Sequence, residues 1–470
     1  MTTQRQEGTT RQLQELIEAH RRRLHKLRLR VAMEGINARP EDLLEIEDIE
    51  ARIKELEGQL QHLRRTTTTA ERTAQVERLE KSLTYNLEPR IGSLEAGLQY
   101  FTLNFRFARR DNVRYEILLQ SEAGETTGDF VLPFTDEALL YFKLDVYRAI
   151  ATRGNLRGRF PPILERLKEF GRQLYEAFPG VVKERYQAAR DKAVAEGYEG
   201  VRLRLTFADP QLVSVPWECL YEPGRDEFFG LSGQVLLVRY TELPYPLIVG
   251  FRSPLRILVT IPNPRDLTPL DAGQERERIA TALRELETAR QVSVHWLDAT
   301  KSGKPVTLEM LHDVLFAFRP QVLHFIGHGD FDRQRAEGFL FFEGANQERD
   351  LISSWRLAQL ATSVSSLRLV FLNACQGAET SEVDRLSGVA VALAQKGIPA
   401  VIGMQFEITD EAAIEFAAKF YQRLAQGAPV DIAVQEARIH LGVVKGNPVE
   451  WATPVLYLLP RDGRVFRLER

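Results

Sequence analysis

Cysteine is scarce in this chain. Among 470 residues there are two cysteines, Cys219 and Cys375, far apart and without regular spacing. A disulfide framework and a zinc site of four thiolates are therefore excluded, and the histidines do not have the spacing of metal ligands. We predict no metal and no cofactor, and we expect a reducing compartment, the cytoplasm.

Long apolar runs are also missing. No stretch of about 18 uninterrupted apolar residues is present to span a bilayer, and the first residues, MTTQRQEGTTRQLQ, lack the apolar core of a signal peptide. We therefore expect no association with a membrane.

Motifs for nucleotide and serine hydrolysis are absent as well. Ser302-Gly303-Lys304 lacks the earlier glycine of a phosphate-binding loop, and neither G-x-S-x-G nor H-E-x-x-H occurs. The formal net charge is −3, with 44% hydrophobic and 27% charged residues. This composition is typical of a globular protein. The nearly balanced charge gives no general reason to expect a nucleic-acid partner.

The first 65 residues have the pattern of a helical hairpin. Apolar residues recur at alternating spacings of three and four over residues 13–31 and 46–63, and Gly35 and Pro40 between them suit a helix end and a helix start. Such short seams are marginal alone, so we expect residues 1–65 to bind a helical partner. An arginine cluster on the first helix either compensates acidic residues of the second or forms a docking surface for protein or nucleic acid.

The next part of the chain changes from helical to mixed periodicity. Residues 66–94 are predicted to form a threonine-rich linker and one helix, and residues 95–250 an α+β segment. Strands are predicted at 100–105, 115–119 and 201–207, helices at 135–152 and 160–197, and turns at 108–111 and 123–129.

From residue 251 to 465, apolar runs alternate with amphipathic helices. The runs are short and rich in β-branched residues, as in strands that are buried on both faces of a parallel sheet. We predict an α/β fold with a mostly parallel sheet flanked by helices, and a hairpin-like insert at 339–344 within the third crossover. The runs comprise residues 255–261, 292–297, 322–327, 368–372 and 400–404.

Two of these runs are followed by residues suited to nucleophilic catalysis. His328 follows the third run and Cys375 the fourth, and the carboxyl ends of parallel strands meet at one edge of a sheet. A thiol needs a base for its proton and an acid for the leaving amine, and an imidazole serves as both. Backbone N–H groups of Gly329, Cys375 and Gln376 lie in turns suited to stabilise a tetrahedral oxyanion. We predict a His328–Cys375 dyad.

Each of these residue types also has a plain structural interpretation. Cys375 alone fits a small buried hydrophobe at a strand end, so its role as nucleophile depends on His328. Cys219 has no adjacent histidine and is predicted to be structural. His324 lies four residues before His328, on the same face of the predicted strand but deeper in the sheet. We expect it either to support the catalytic residues without contacting the substrate or to be a hydrogen-bonded core residue. Asn373 is expected to have the same supporting role.

Four polar residues follow the fourth and fifth runs: Asp384, Gln405, Glu407 and Asp410. Their position at the carboxyl edge makes them candidates for a substrate pocket. Asp410 has an alternative interpretation, because residues 409–412 have the composition of a capped helix start with carboxylates in its first turn.

Several segments resemble the bacterial CHAT branch of the caspase-like peptidases. Asn373-Ala374-Cys375-Gln376-Gly377, with a His-Gly pair upstream at a strand end, is similar to the caspase pattern Q-A-C-x-G and its histidine. The resemblance extends from roughly residue 95 to 465. Its motifs are VPWE at 215–218, LHFIGHG at 323–329, LNAC at 372–375, AVIGMQF at 400–406 and WATPVLY at 451–457.

The resemblance implies a caspase-like fold and a cysteine endopeptidase whose dyad matches His328 and Cys375. The chain departs from the family in lacking tetratricopeptide repeats, and Asn373 stands where metacaspases have an acidic residue, so a preference for basic cleavage sites is not carried over. The N-terminal hairpin is similar to small helical adaptor modules of bacterial signalling and conflict proteins. We predict peptide-bond hydrolysis in a protein substrate, with a catalytically silent scaffold of the same fold as the alternative.

Overall fold

The computed structural model describes most of the chain from residue 99 onward. The described ranges are 99–152, 161–241, 249–267, 272–298, 303–332, 337–374, 385–406 and 408–468, with residues 243 and 270. The hairpin predicted at 1–65 and the linker and helix predicted at 66–94 lie outside them.

Both helices and strands occur throughout the described chain. The helices are α1 Asp136–Thr152, α2 Pro161–Glu176, α3 Gly180–Ala195, α4 Pro210–Val213, α5 Ala272–Thr288, α6 Leu308–Phe318, α7 Ser354–Ser363, α8 Arg385–Gln395, α9 Asp410–Ala425 and α10 Val430–Ile439. The strands are β1 Tyr100–Arg109, β2 Arg114–Ser121, β3 Gly124–Val131, β4 Gly200–Phe207, β5 Tyr221–Glu222, β6 Glu227–Phe228, β7 Val235–Tyr240, β8 Val249–Phe251, β9 Leu255–Ile261, β10 Val292–Asp298, β11 Val322–Gly327, β12 Gly329–Asp332, β13 Glu337–Glu343, β14 Arg349–Ser353, β15 Leu369–Ala374, β16 Ala400–Met404, β17 Pro454–Leu458 and β18 Phe466–Leu468.

One large sheet organises the molecule. Its 11 strands follow the order β10-β9-β11-β15-β16-β17-β7-β4-β1-β2-β3. Strands β10 to β16 of this order are mutually parallel, as are β17 to β1, and the two groups meet in an antiparallel pair, β16 with β17. The five predicted runs correspond to β9, β10, β11, β15 and β16. The predicted α/β fold with a mostly parallel sheet flanked by helices is therefore confirmed.

The central strands are buried on both faces. In β11, Val322 and Ile326 belong to one apolar cluster, whereas Leu323 and Phe325 belong to the other. The first cluster includes side chains of α5 and α9, and the second includes side chains of α6, α7 and α8. Alternate residues of a strand point to opposite faces, so only a continuous apolar run fits between two helical layers. This requirement explains the runs seen in the sequence.

Strands from both sides of residue 250 share this sheet. Strands β1, β4 and β7 come from the upstream part of the chain, and β17, from its end, lies between β7 and β16. The upstream part therefore extends the sheet that contains β9, β11 and β15 rather than forming a sheet of its own.

A small antiparallel sheet is inserted between β11 and β15. It comprises β12, β13 and β14, so the hairpin predicted near 339–344 is present with one additional strand directly after His328. Helix α8 packs against β12 and β13. A Cβ atom built on Gly338 would lie 2.7 Å from the Cα atom of Val389 in α8, so this close approach requires glycine.

The predicted turn at 123–129 is wrong for most of its length. Residues from Gly124 onward form β3, the edge strand of the large sheet, which pairs with β2 in antiparallel register. Phe130 is its one fully buried side chain, and the others are partly or fully exposed. An edge strand with polar residues and glycines lacks the alternating apolar pattern from which a strand is predicted.

A buried carboxylate lies where the upstream segment meets the end of the chain. Glu218 is fully buried, with an oxygen 2.8 Å from Nη2 of Arg239 in β7 and the other 3.8 Å from Nη2 of Arg438 in α10. Burial alone would raise the pKa of Glu218, but the two guanidinium groups more than offset it and lower that pKa. Burial lowers the pKa of Arg438 to about 10, with Glu218 opposing the change, so both groups are ionised at neutral pH.

Further hydrogen bonds extend this buried network. Nη2 of Arg438 donates to the carbonyl of Pro454 at the start of β17 (2.6 Å), and Nη2 of Arg239 donates to the carbonyl of Val215 (3.1 Å). The network thus connects the segment around Glu218 with β7, α10 and β17.

Within the described ranges, no helix combines the length and the apolar composition that crossing a bilayer requires.

We predict that Glu218→Gln lowers the free energy of unfolding by about 3–5 kcal/mol, because it leaves two buried cations without a carboxylate. Equilibrium urea unfolding of the full chain measures this loss. As a matched control, Glu169→Gln changes an exposed pair with Arg172 on α2 and is expected to leave stability nearly unchanged. A loss for Glu218→Gln no larger than that of the control would contradict the role of the network.

Candidate active site

Strands β11 and β15 end together at one edge of the sheet. They are parallel neighbours, and their register pairs Ile326 with Asn373 and Gly327 with Ala374, the last residue of each strand. His328 directly follows Gly327 and is half-buried. Cys375 and Gln376, which follow Ala374 in the sequence, lie outside the described residues. The described geometry therefore brings the last residues before His328 and before Cys375 side by side.

Gly327 permits the close packing at this edge. A Cβ atom built on it would lie 2.8 Å from the ring of Phe325, which is itself fully buried in the cluster on the α8 side. A larger residue directly before His328 would displace either the ring or the strand end.

The backbone after His328 is held by the inserted sheet. The N–H of Phe341 donates to the carbonyl oxygen of His328 at 3.0 Å, and Gly329 is in register with Leu340. Hydrogen-bonded and non-bonded pairs alternate along an antiparallel ladder. Because His328 and Phe341 form a bonded pair, the N–H of Gly329 points away from β13. This orientation is required of a donor that stabilises an oxyanion outside the ladder.

His324 lies in the core on the side of α9. It is 1% exposed, and the hydroxyl of Tyr421 lies 2.9 Å from its Nδ1 atom. Its ring also packs on Phe371, with 4.4 Å between ring centroids. Burial lowers the pKa of His324 to about 3, so the imidazole is neutral at physiological pH. A neutral, enclosed ring of this kind contributes hydrogen bonds rather than charge.

Asn373 lies on β15, two residues before Cys375. It is 4% exposed, and its Oδ1 atom is buried without a hydrogen-bond partner among the described residues. The site thus has a polar atom directly behind the strand end from which Cys375 follows.

The four predicted pocket residues have different positions. Gln405 is buried and part of the Glu218 network: its Nε2 donates to Glu218 (2.9 Å) and to the carbonyl of Ala452 (2.6 Å). Asp410 is the first residue of α9, whose N-cap is Thr409, with the Thr409 hydroxyl accepting from the N–H of Ala412. Asp384 and Glu407 lie outside the described residues.

Cys219 differs from a reactive thiol. It is fully buried, and burial raises the pKa of its thiol well above the usual range, with Glu218 adding to the effect. A thiol in such surroundings stays protonated and inaccessible to electrophiles.

Comparison with known families agrees with the fold. The CHAT domain matches residues 168–458, more than half of the chain. This chain belongs to the CHAT family. No match was found among the curated proteins.

The CHAT domain is a caspase-like domain of a peptidase-related family, in agreement with the parallel sheet and its inserted strands. The match begins within α2, so β1, β2, β3 and α1 precede it, although these three strands belong to the same sheet. Among the described residues of this CHAT protein, no three His, Cys, Asp or Glu side chains gather as a metal site would require.

Two buried polar residues of the site were not anticipated from the sequence. Tyr421 belongs to an apolar stripe of α9 with Phe416 and Phe420, and nothing local indicates that its hydroxyl contacts a histidine 97 positions earlier. For Glu218 the sequence does contain an indication. The residue lies between Trp217 and Cys219 in an apolar segment, and a buried carboxylate requires a cationic partner.

We predict that His324 makes the stability of this CHAT protein fall in acid. The unfolded chain binds a proton at this residue below about pH 6.5, whereas the folded protein does not until about pH 3, so folding loses about 1.4 kcal/mol per pH unit between these values. His324→Gln removes this dependence. Urea unfolding at pH 7.5 and pH 5 should show the wild type losing about 2 kcal/mol relative to the variant at the lower pH.

The control for this prediction is Phe371→Leu, a packing change beside the same ring. The difference in the free energy of unfolding between Phe371→Leu and the wild type should be independent of pH. If the difference for His324→Gln is equally independent of pH, His324 is not the buried neutral group described above.

Proposed function

We propose that this CHAT protein is a cysteine endopeptidase, with Cys375 as nucleophile and His328 as its acid and base. The observation that carries the proposal is the register of β11 and β15, in which Gly327 and Ala374 are paired immediately before the two residues. Neighbouring strands lie about 4.8 Å apart, a separation suited to contact between an imidazole and a thiol. Membership of a peptidase-related family supports the same reaction.

In the proposed reaction, His328 accepts the thiol proton of Cys375 and the sulfur attacks the scissile carbonyl carbon. The oxyanion is stabilised by the backbone N–H groups of Gly329, Cys375 and Gln376. The tetrahedral intermediate collapses with cleavage of the C–N bond, and His328 gives its proton to the leaving amine. Water then attacks the thioester with His328 as base, which releases the carboxylic acid and restores the thiol.

The surroundings of His328 support this role. Its ring is half-buried at the sheet edge, and its carbonyl is anchored by Phe341, so the backbone that carries the imidazole is held by β13. The N–H of Gly329 is directed away from β13, as an oxyanion donor must be.

The proposed substrate pocket comprises Asp384, Glu407 and the start of α9 at Asp410. Gln405 has a different role in the proposal, because its amide is already bonded to Glu218 and Ala452 in the core. We infer that Gln405 stiffens the end of β16 beside the cleft rather than contacting the peptide.

We further propose that residues 1–65 recruit a helical protein partner in the cytoplasm and that this partner controls access to the site. The test compares the peptidase activity of the full chain with that of a chain that begins near Thr69. Each is measured with and without a partner captured by residues 1–65. Equal peptidase activity in all four cases would remove the control function while leaving the dyad untouched.

The dyad predicts selective labelling of Cys375. A peptide with an electrophilic chloromethyl ketone, incubated with the full chain at pH 7.5, should modify Cys375, and His328→Ala should slow this labelling by at least about a hundredfold. Mass spectrometry of proteolytic fragments identifies the modified residue. Cys219 is the internal control, because its buried thiol should remain unmodified in the folded protein.

Two outcomes would contradict the proposal. Labelling of Cys375 at the same rate in the wild type and in His328→Ala would show that no dyad exists. Absence of labelling at Cys375, in protein whose Cys219 also stays unmodified, would favour the catalytically silent scaffold.

A further inference from the structure

A row of buried polar groups lies behind the proposed dyad, on the side of the sheet that α9 covers. It begins with Tyr421, which is fully buried and whose hydroxyl is 2.9 Å from Nδ1 of His324. His324 has only one other polar atom, Nε2, and that atom is buried without a hydrogen-bond partner among the described residues. Buried polar atoms are nearly always paired, so this ring nitrogen calls for a partner.

The corresponding atom on the neighbouring strand is Oδ1 of Asn373. It too is buried and without a partner among the described residues. His324 pairs with Phe371, and Ile326 pairs with Asn373, so His324 and Asn373 are diagonal neighbours. Val322, Ile326, Leu369 and Phe371 belong to the cluster on the α9 side, and alternation places His324 and Asn373 on that face with them.

The separation of these two residues suits one bridging water molecule. Two residues along a strand and one strand across correspond to about 8 Å between Cα atoms. Neither His324 Nε2 nor Asn373 Oδ1 has a hydrogen-bond partner among the described residues, so the two atoms form no direct bond, and one water between them would satisfy both. An amide oxygen accepts hydrogen bonds, and an imidazole nitrogen donates when the other ring nitrogen accepts.

We propose that His324 is a positioning residue for Cys375. The Tyr421 hydroxyl donates to Nδ1 of His324, so the proton of the neutral ring is on Nε2. Nε2–H donates to a buried water, and that water donates to Oδ1 of Asn373. Because Asn373 lies near the end of β15, two residues before Cys375 in the sequence, the row holds the strand end from which the nucleophile follows. This inference rests on the proposed role of Cys375.

The row differs from the dyad in what it does chemically. His324 is enclosed by Phe371, Tyr421 and the strands, so neither it nor Tyr421 reaches a substrate. No proton is consumed or released in the row during the reaction. Its contribution is the fixed orientation of a strand end, which sets the distance between the thiol and the imidazole of His328.

The test is the rate of alkylation of Cys375 by iodoacetamide in the full chain, measured from pH 5.5 to pH 9.5. His324→Leu keeps the volume and removes both ring nitrogens, and it should lower the rate at neutral pH about three- to tenfold and displace the pH profile. His324→Gln offers an amide N–H near the position of Nε2 and should restore most of the rate. Tyr421→Phe should produce a smaller change in the same direction.

Phe420→Leu is the matched control, since Phe420 is a fully buried neighbour of Tyr421 on α9. It should lower the melting temperature but leave the pH profile of alkylation unchanged. We also expect the effects of Asn373→Ala and His324→Leu on the alkylation rate to be non-additive, because each substitution interrupts the same connection. If His324→Leu is too unstable to study, the comparison of His324→Gln, Tyr421→Phe and Phe420→Leu gives the same test.

The inference is overturned if His324→Leu and Phe420→Leu change the alkylation profile equally, or if the effects of His324→Leu and Asn373→Ala add. Failure of the proposed function has a different signature. In that case His328→Ala leaves the alkylation of Cys375 unchanged, and no peptide hydrolysis is detected in any variant.

Discussion

The parallel pairing of β11 with β15 determines where every proposed catalytic group lies. The pairing is held in place by apolar side chains on both faces, each fully buried side chain contributing about 1.5–3 kcal/mol. A slip of β11 by one residue would turn His324 toward α8 and Phe325 toward α9, so the register is strongly specified. The register ends with Gly327 opposite Ala374, and the proposed contact between His328 and Cys375 depends on it.

The buried carboxylate of Glu218 performs a comparable task where the two groups of parallel strands meet. The antiparallel pair of β16 and β17 joins these groups, and Glu218, Arg239, Arg438 and Gln405 lie around that junction. Burying charges is costly, and here both guanidinium groups lie within 4 Å of the Glu218 carboxylate, which offsets part of that cost. Through Gln405 the same network reaches the end of β16, next to the strand that precedes Cys375. The network thus joins the upstream segment to the end of the strand that neighbours β15.

Much of the fold was predictable from the sequence because the central strands are buried on both faces. Their apolar runs at β9, β11, β15 and β16 have no other plausible location than the middle of a parallel sheet. Strand β3 was missed because an edge strand needs no apolar alternation, and β12 because four residues with two aspartates have no strand pattern. In both cases pairing with a neighbour forms the strand, and pairing across distant positions leaves no local signal.

The same distinction applies to the site. The strand end before His328 and Gly329 was predictable from the sequence because an apolar run followed by glycine is a local feature. The bond between Tyr421 and His324, and the place of Gln405 beside Glu218, depend on contacts between elements far apart in the chain. The sequence alone therefore did not separate Gln405, which supports β16 from the core, from a residue that contacts a substrate.

A crystal structure of the full chain with a peptidyl chloromethyl ketone bound tests the central claim most directly. We expect a thioether bond at the sulfur of Cys375, the ring of His328 within hydrogen-bond reach of the trapped group, and the oxygen of that group directed at the N–H of Gly329. Two results would contradict the proposed dyad. In one, the imidazole of His328 lies on the opposite face of the sheet from Cys375. In the other, Cys375 is unmodified and buried among apolar side chains.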